Sequence, residues 1–289
     1  MSETAPEDTV RVVGTETFDQ IDCERFRVDG TATVHGVLRT DDATINGNAS
    51  VGGSLDAGEV TADGSLTVDG DGHARAARID GAGTFGGRLA VDLLRVDGSV
   101  TVEADASADH VAVDGSATVG GNLDGHEVEC DGTLSVEGTV VAAELAVDGR
   151  VAVDELTDVT DLSVDGTATY GDVNAERVTT DGRLDAGEVS AQQFELTLHA
   201  DSAAEAVDAT EVAVRRGESG DGLLGGGGGT LEVGVVTGET IELDATRAET
   251  VAGERVTLGP DVEVAVVYAD DLSADDAATV GEVRASDEY

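Results

Sequence analysis

The side chains with chemistry to offer are five histidines, two cysteines and a carboxylate or amide in every seventeenth place. Asp29, Asn46, Asp63, Asp80, Asp97, Asp114, Asp131, Asp148 and Asp165 each precede a glycine, and every interval between them is 17 residues. Acceptors repeated at a constant interval can hold a row of cations or template a mineral, or they can serve turns by accepting from turn amides. The turn is the better match, because the glycine that follows each one adopts φ > 0 in a tight corner at little cost. His35, His73, His110 and His126 fall at places 8, 12, 15 and 14 of the 17-residue unit, counted from the residue before the Asp, and so form no column. His110 and His126 lie on adjacent units, but two ligands do not make a catalytic metal centre. Cys23 and Cys130 take apolar places and read as small buried hydrophobes, not as a disulfide framework or a zinc site. There is no Ser-His-Asp signature, and the Gly225–Gly229 run lacks the Lys of a phosphate loop. The expectation is a chain with no catalytic residue, cofactor, metal or small-molecule substrate.

The elements that position these residues follow from the same interval. Place 1 holds Val28, Ile45, Ala62, Ile79, Val96, Val113, Cys130, Val147 and Val164. Place 7 holds Val34, Val51, Val68, Phe85, Val102, Val119, Val136, Val153 and Tyr170. Places 5 and 16 are also apolar, and 11 and 13 frequently so. The spacing within a segment is two, the strand period, and Gly or Asp separates the segments. Three short strands per 17 residues describe one coil of a parallel β-helix, with coils stacked about 4.8 Å apart. About ten such coils are expected. Gly83 beside Phe85 and Ala168 beside Tyr170 give each ring a small neighbour in its own layer.

The boundaries expected are an acidic N-terminal tail over 1–10, the β-helix over 11–191, a less regular C-terminal β-solenoid or cap region over 192–285 and a tail over 286–289. In the first coil, Ile21, Cys23 and Phe26 take places 11, 13 and 16, while Thr15 and Thr17 take places 5 and 7. The interval shortens at Asp181–Gly182, and Leu184–Val189 repeats Leu55–Val60. Residues 215–229 form a glycine-rich loop, after which short alternating runs resume from Thr230.

Composition sets the medium. There are 61 acidic residues against 16 basic ones, every one of the latter Arg, for a net charge of −45. Such a charge implies disorder in a chain without a regular apolar pattern; with that pattern it implies a fold working in molar salt. There the Debye length is roughly 3 Å. Two carboxylates one coil apart repel by about 0.9 kcal/mol in bulk water, and salt screens most of that. Phosphate neutralisation is excluded as a mode of binding, so no nucleic-acid partner is expected. No apolar run approaches the roughly 20 residues of a membrane span and no secretory h-region is present, so a cytoplasmic location is expected.

The 17-residue coil with apolar columns and glycine turns resembles the bactofilin β-helix. Gly238–Arg284 resembles the C-terminal coils of longer polymer-forming members, through Gly253–Pro260 and the Val266-Val267-Tyr268 element. With the acidic, Lys-free composition it is similar to a haloarchaeal, halofilin-like member, over about 240 of the 289 residues. The resemblance implies a right-handed β-helix forming nucleotide-independent, non-polar filaments that support cell shape. Its main partner would be itself as a homopolymer. Two departures are a longer coil array and the lack of an N-terminal membrane anchor, so attachment would need a membrane or cell-shape partner protein.

A solenoid's end coils present unpaired strands and core, and no helical cap is evident at either end. Polymer contacts are therefore expected at Phe18 and Phe26 at one end. At the other they are expected at Phe194, Leu196 and Leu198 if the second region leaves them uncovered, otherwise at Val264, Val266 and Tyr268. The alternatives are an exported surface or adhesion solenoid, and a β-helix carbohydrate-active enzyme with carboxylates, Arg and aromatics converging in a groove.

Overall fold

The computed structural model describes residues 7–217 and 228–289. The N-terminal tail and the glycine-rich loop of the sequence reading therefore lie partly outside the described residues. The chain is an all-β parallel solenoid of about 16 turns. The increase over ten comes from the C-terminal third, whose irregular coil lengths hide coils from a 17-residue count. Two compact units divide the chain, Met1–Ala142 and Ala143–Tyr289.

In the first unit strands of unequal length alternate. After β1 (Glu7–Val12) and β2 (Thr15–Phe18) come the eight-residue β3 (Ile21–Val28) and the four-residue β4 (Thr31–Val34). The pair recurs as β5 (Leu38–Ile45) and β6 (Asn48–Val51) and onward to β15 (Leu123–Cys130) and β16 (Thr133–Val136). Each coil thus has three inward-facing segments, of which two share one bent strand. In β3, Ile21, Cys23, Phe26 and Val28 point inward while Glu24 and Arg25 both point out, and the alternation changes phase there. The ladder skips a step at that bend: Cys23 pairs Thr40 and Arg25 pairs Asp42. A bend made by two outward residues keeps the parallel hydrogen bonds, so no turn residue is needed and none marks it in the sequence.

The columns are those expected. Ile45, Ala62, Ile79 and Val96 lie in register and are wholly buried. The first coil departs by one residue. Val12 pairs Val28, a 16-residue step, so Glu16 and Phe18, not Thr15 and Thr17, stand in the columns of Ala32 and Val34. The corner is one residue shorter than in the coils above, and counting back by 17 therefore misplaces everything before it.

The corner glycines need a different explanation from the one expected. In the first unit none of them takes a left-handed φ. A Cβ on Gly47, Gly64, Gly81, Gly98, Gly115 or Gly132 would instead overlap the carbonyl oxygen of the corner glycine one coil before. The two corner amides converge on a single carbonyl: those of Asp97 and Gly98 both donate to Ile79 O at 3.0 Å. This draws the corner backbones so close that only hydrogen fits between them.

Ring accommodation is also more specific than sequence spacing shows. Gly83 lies in ordinary contact with Phe85, but a Cβ on Gly72 would come within 2.8 Å of the Phe85 ring. Gly72 stands in register with Leu55 and Leu89, so Phe85 fills the space a leucine side chain occupies in those coils.

The second unit has longer strands: β18 (Arg150–Leu198), β19 (Ser202–Arg216), β20 (Leu231–Leu243), β21 (Thr246–Leu258), β22 (Glu263–Ala274) and β23 (Thr279–Arg284). The eight-residue β17 (Val140–Val147) contains the division between units. One column runs Leu196, Val214, Leu243, Leu258 and Ala274, with steps of 18, 29, 15 and 16 residues. The 29-residue step contains the glycine-rich segment, which departs after Arg216 and returns before Leu231. Ala245 and Asp261 take left-handed φ of 45° and 59° at the corners opening β21 and β22.

Candidate assembly surfaces and charged corners

The carboxylate ladder carries its own counter-charges. Arg27, Arg78 and Arg95 occupy the place just before column 1, pointing out beside the Asp-Gly corner. Arg95 Nε donates to Asp97 at 3.2 Å in its own coil, and its Nη2 to Asp114 at 3.0 Å in the next. Arg78 spans Asp80 and Asp97 in the same way. At the start of the ladder Asp29 accepts from Asn46 Nδ2 at 2.7 Å, Arg11 at 2.7 Å and Arg27 at 3.2 Å. The Asn46 bond, then the Arg11 bond, hold its carboxyl down to about 2. At Asp97 desolvation acts upward, but Asp114, Arg78 and Arg95 outweigh it and the net shift is down. Each such exposed pair adds little stability, with a median near 0–1 kcal/mol. Their effect is to break a run of like charges into alternating ones.

Amide capping by acidic side chains occurs at a different corner. Asp71 Oδ1 accepts from Arg88 N at 2.9 Å, Asp105 Oδ1 from Asn122 N at 3.1 Å, and Asn122 Oδ1 from Thr139 N at 3.0 Å. In each case the acceptor reaches one coil onward, over Gly87, Gly121 or Gly138, where a Cβ would overlap it. The bond from Asn122 N, then the Arg88 guanidinium, lower the Asp105 pKa. Asp172 repeats the device in the second unit with Glu188 N and Gly187. An Asx one coil before a Gly-x pair was the available sequence signal, obscured by the more regular Asp-Gly corner.

The expected contact residues divide sharply. Phe26, Phe194, Leu196 and Leu198 are core residues, at most 1 % exposed. Phe26 is stacked between Val10 and Ala43, and β19 covers Phe194 and Leu196 with Val212 and Val214. These four side chains have no surface to offer a second copy. Val264, Val266 and Tyr268 do not form the last coil either, because β23 adds another with Val280, Glu282 and Arg284 in register with them. Only Phe18 of the expected set stands in a terminal strand, half-buried beside Val34.

The ends bring forward residues that sequence reasoning passed over. Val283 continues the buried Val251–Val267 column but is 54 % exposed, since no described strand follows β23. Beside it the tail turns back as a single 3₁₀ turn (Ser286–Glu288) and brings the Tyr289 ring to 5.2 Å from Tyr268. Arg284 lies 5.6 Å over the same ring and donates to the Tyr268 hydroxyl at 3.1 Å. At the other end Val13 is 67 % exposed, and Glu16 occupies an inward column.

His110 and His126 are neighbours, with ring centroids 6.5 Å apart, and His110 Nδ1 lies 2.8 Å from Glu127. Among the described residues no group of three metal-ligating side chains comes together. Both cysteines are buried, and burial pushes the Cys130 thiol up to about 11. A shallow groove of about 610 Å³ crosses β20–β23 over a floor of Val233, Ala248 and Val264. Its one guanidinium, Arg247, is held by Glu263 at 3.1 Å and Glu232 at 3.6 Å, and no aromatic side chain lines it. Among the described residues no helix is long and apolar enough to cross a membrane. Comparison with protein-family models, with curated proteins and with solved structures finds no match.

Proposed function

We propose that this protein is a structural subunit that self-assembles through its coil ends into nucleotide-independent filaments supporting cell shape in a salt-rich cytoplasm. Its principal partner is then a second copy of itself, and attachment to the cell boundary falls to a membrane or cell-shape partner protein. The reading assigns it no catalytic step, cofactor or metal.

The observation that carries this reading is the free edge of the last strand, with Val283 continuing a core column into solvent. A strand edge beside exposed apolar core is a template for another chain, and contacts that do not close into a ring propagate as filaments. Electron microscopy of the purified protein in molar salt tests it. Filaments are expected, and Val283→Asp is expected to shorten or abolish them while circular dichroism stays unchanged. Monodisperse single particles at high protein concentration would sink the reading.

A further inference from the structure

The first coil carries a charge where every other described coil of its unit carries core. Glu16 stands in register with Ala32, and that column continues through Ala49, Leu66, Gly83, Val100, Ala117 and Leu134. Apart from Gly83, those side chains are all at least 96 % buried. Glu16 is exposed, and its strand β2 pairs with β4 alone among the described residues, leaving the other edge free. Thr15 and Thr17 beside it are exposed, whereas Phe18 in the same strand faces the valine column. Among the described residues no cation is within bonding distance of Glu16; the nearest arginines by sequence, Arg11 and Arg27, are both engaged by Asp29.

We propose that Glu16 guards this edge against the same edge of a second copy. Two such edges meeting about a two-fold axis would bring two carboxylates together in an apolar column. Each would lose its water with no partner to replace it, which is the costly part, and like charges would add to it. An inward-pointing charge on an edge strand is a known way to prevent pairing. Salt screens the repulsion but does not remove the desolvation cost, so the guard holds in the molar salt that this composition suits.

The inference bears on the proposed assembly, since a guarded first coil leaves only heterologous, end-to-opposite-end joints at this edge. Its test stands apart from whether the wild-type protein forms filaments. Sedimentation equilibrium is measured for the full chain, Glu16→Val and Glu16→Val/Phe18→Glu, each in low and in molar salt, with circular dichroism reporting the fold. Glu16→Val is expected to self-associate at least about ten-fold more tightly than wild type, equivalent to about 1.4 kcal/mol, at both salt levels. The double variant, charged again in the same strand, is expected to return to wild-type behaviour. Equal association of Glu16→Val and wild type overturns the guard. So does wild-type association that molar salt alone raises to the Glu16→Val level, because repulsion without desolvation would then explain it. Persistent association of the double variant overturns it too, by placing the new contact elsewhere. Absence of filaments from wild type in microscopy would sink the proposed function and leave this comparison intact.

Discussion

At the scale of single residues, the corners are governed by how closely two backbones approach. The recurrence of Asp-Gly was legible in the sequence at once, and so was the burial of the residue before it. The reason for the glycine was not, because a φ requirement and a steric requirement leave the same letter behind. The two are separable by experiment. Gly98→Ala must push two stacked corner carbonyls apart and is expected to cost about 3 kcal/mol in urea denaturation. Gly14→Ala, at the first corner with no atom within 4 Å of the added Cβ, is expected to be neutral. Equal effects at the two positions would show that conformation, not approach, selects glycine. The arginines escaped notice because they stand at irregular coils, 27, 78 and 95, and only the stacked register shows each one spanning two carboxylates. The lowered pKa of Asp29 has a definite sign for stability. A group depressed from the ordinary carboxylate value to about 2 contributes fully above about pH 4 and loses that contribution as pH falls toward 2.

At the scale of the strand and coil, the inward columns were readable because burial alternates with period two wherever the chain is straight. The bend inside each eight-residue strand was not readable, since two adjacent outward residues need no special chemistry and vary freely, as Glu24-Arg25 and Asp41-Asp42 do. The exchange between Phe85 and Gly72 tests how far a coil tolerates local repacking. Gly72→Leu restores the residue of neighbouring coils but collides with the ring, and an overpacking cost of about 1–3 kcal/mol is expected. Phe85→Val alone leaves a cavity. The double variant recreates the neighbouring arrangement and is expected to recover at least half of the summed losses in thermal melts. Additive losses would mean the two positions are not coupled. The second unit was less legible because its coil lengths change at every step, so no single interval picks out its columns.

At the scale of the molecule, 61 acidic residues against 16 basic ones remain unbalanced even with every arginine engaged. Raising salt screens that excess more than it weakens the few ion pairs, so thermal stability is expected to rise from millimolar to molar potassium chloride. A melting temperature that is flat or falling would contradict it. Which residues lie at an end was the least legible feature, since it depends on how many coils stack and where register begins. A one-residue short corner moved Glu16 into the core column, and the coil of β23 moved Tyr268 away from the terminus. The unequal steps of the Leu196–Ala274 column carry a further consequence. Coils of 15, 16, 18 and 29 residues keep one column in line, so the fold measures side-chain alignment and not chain length. Surplus chain is let out at a corner, as between Arg216 and Leu231, without disturbing the ladder on either side. Each corner is thus a port where evolution or an experimenter can graft a loop, an epitope or a reporter onto an otherwise unchanged scaffold.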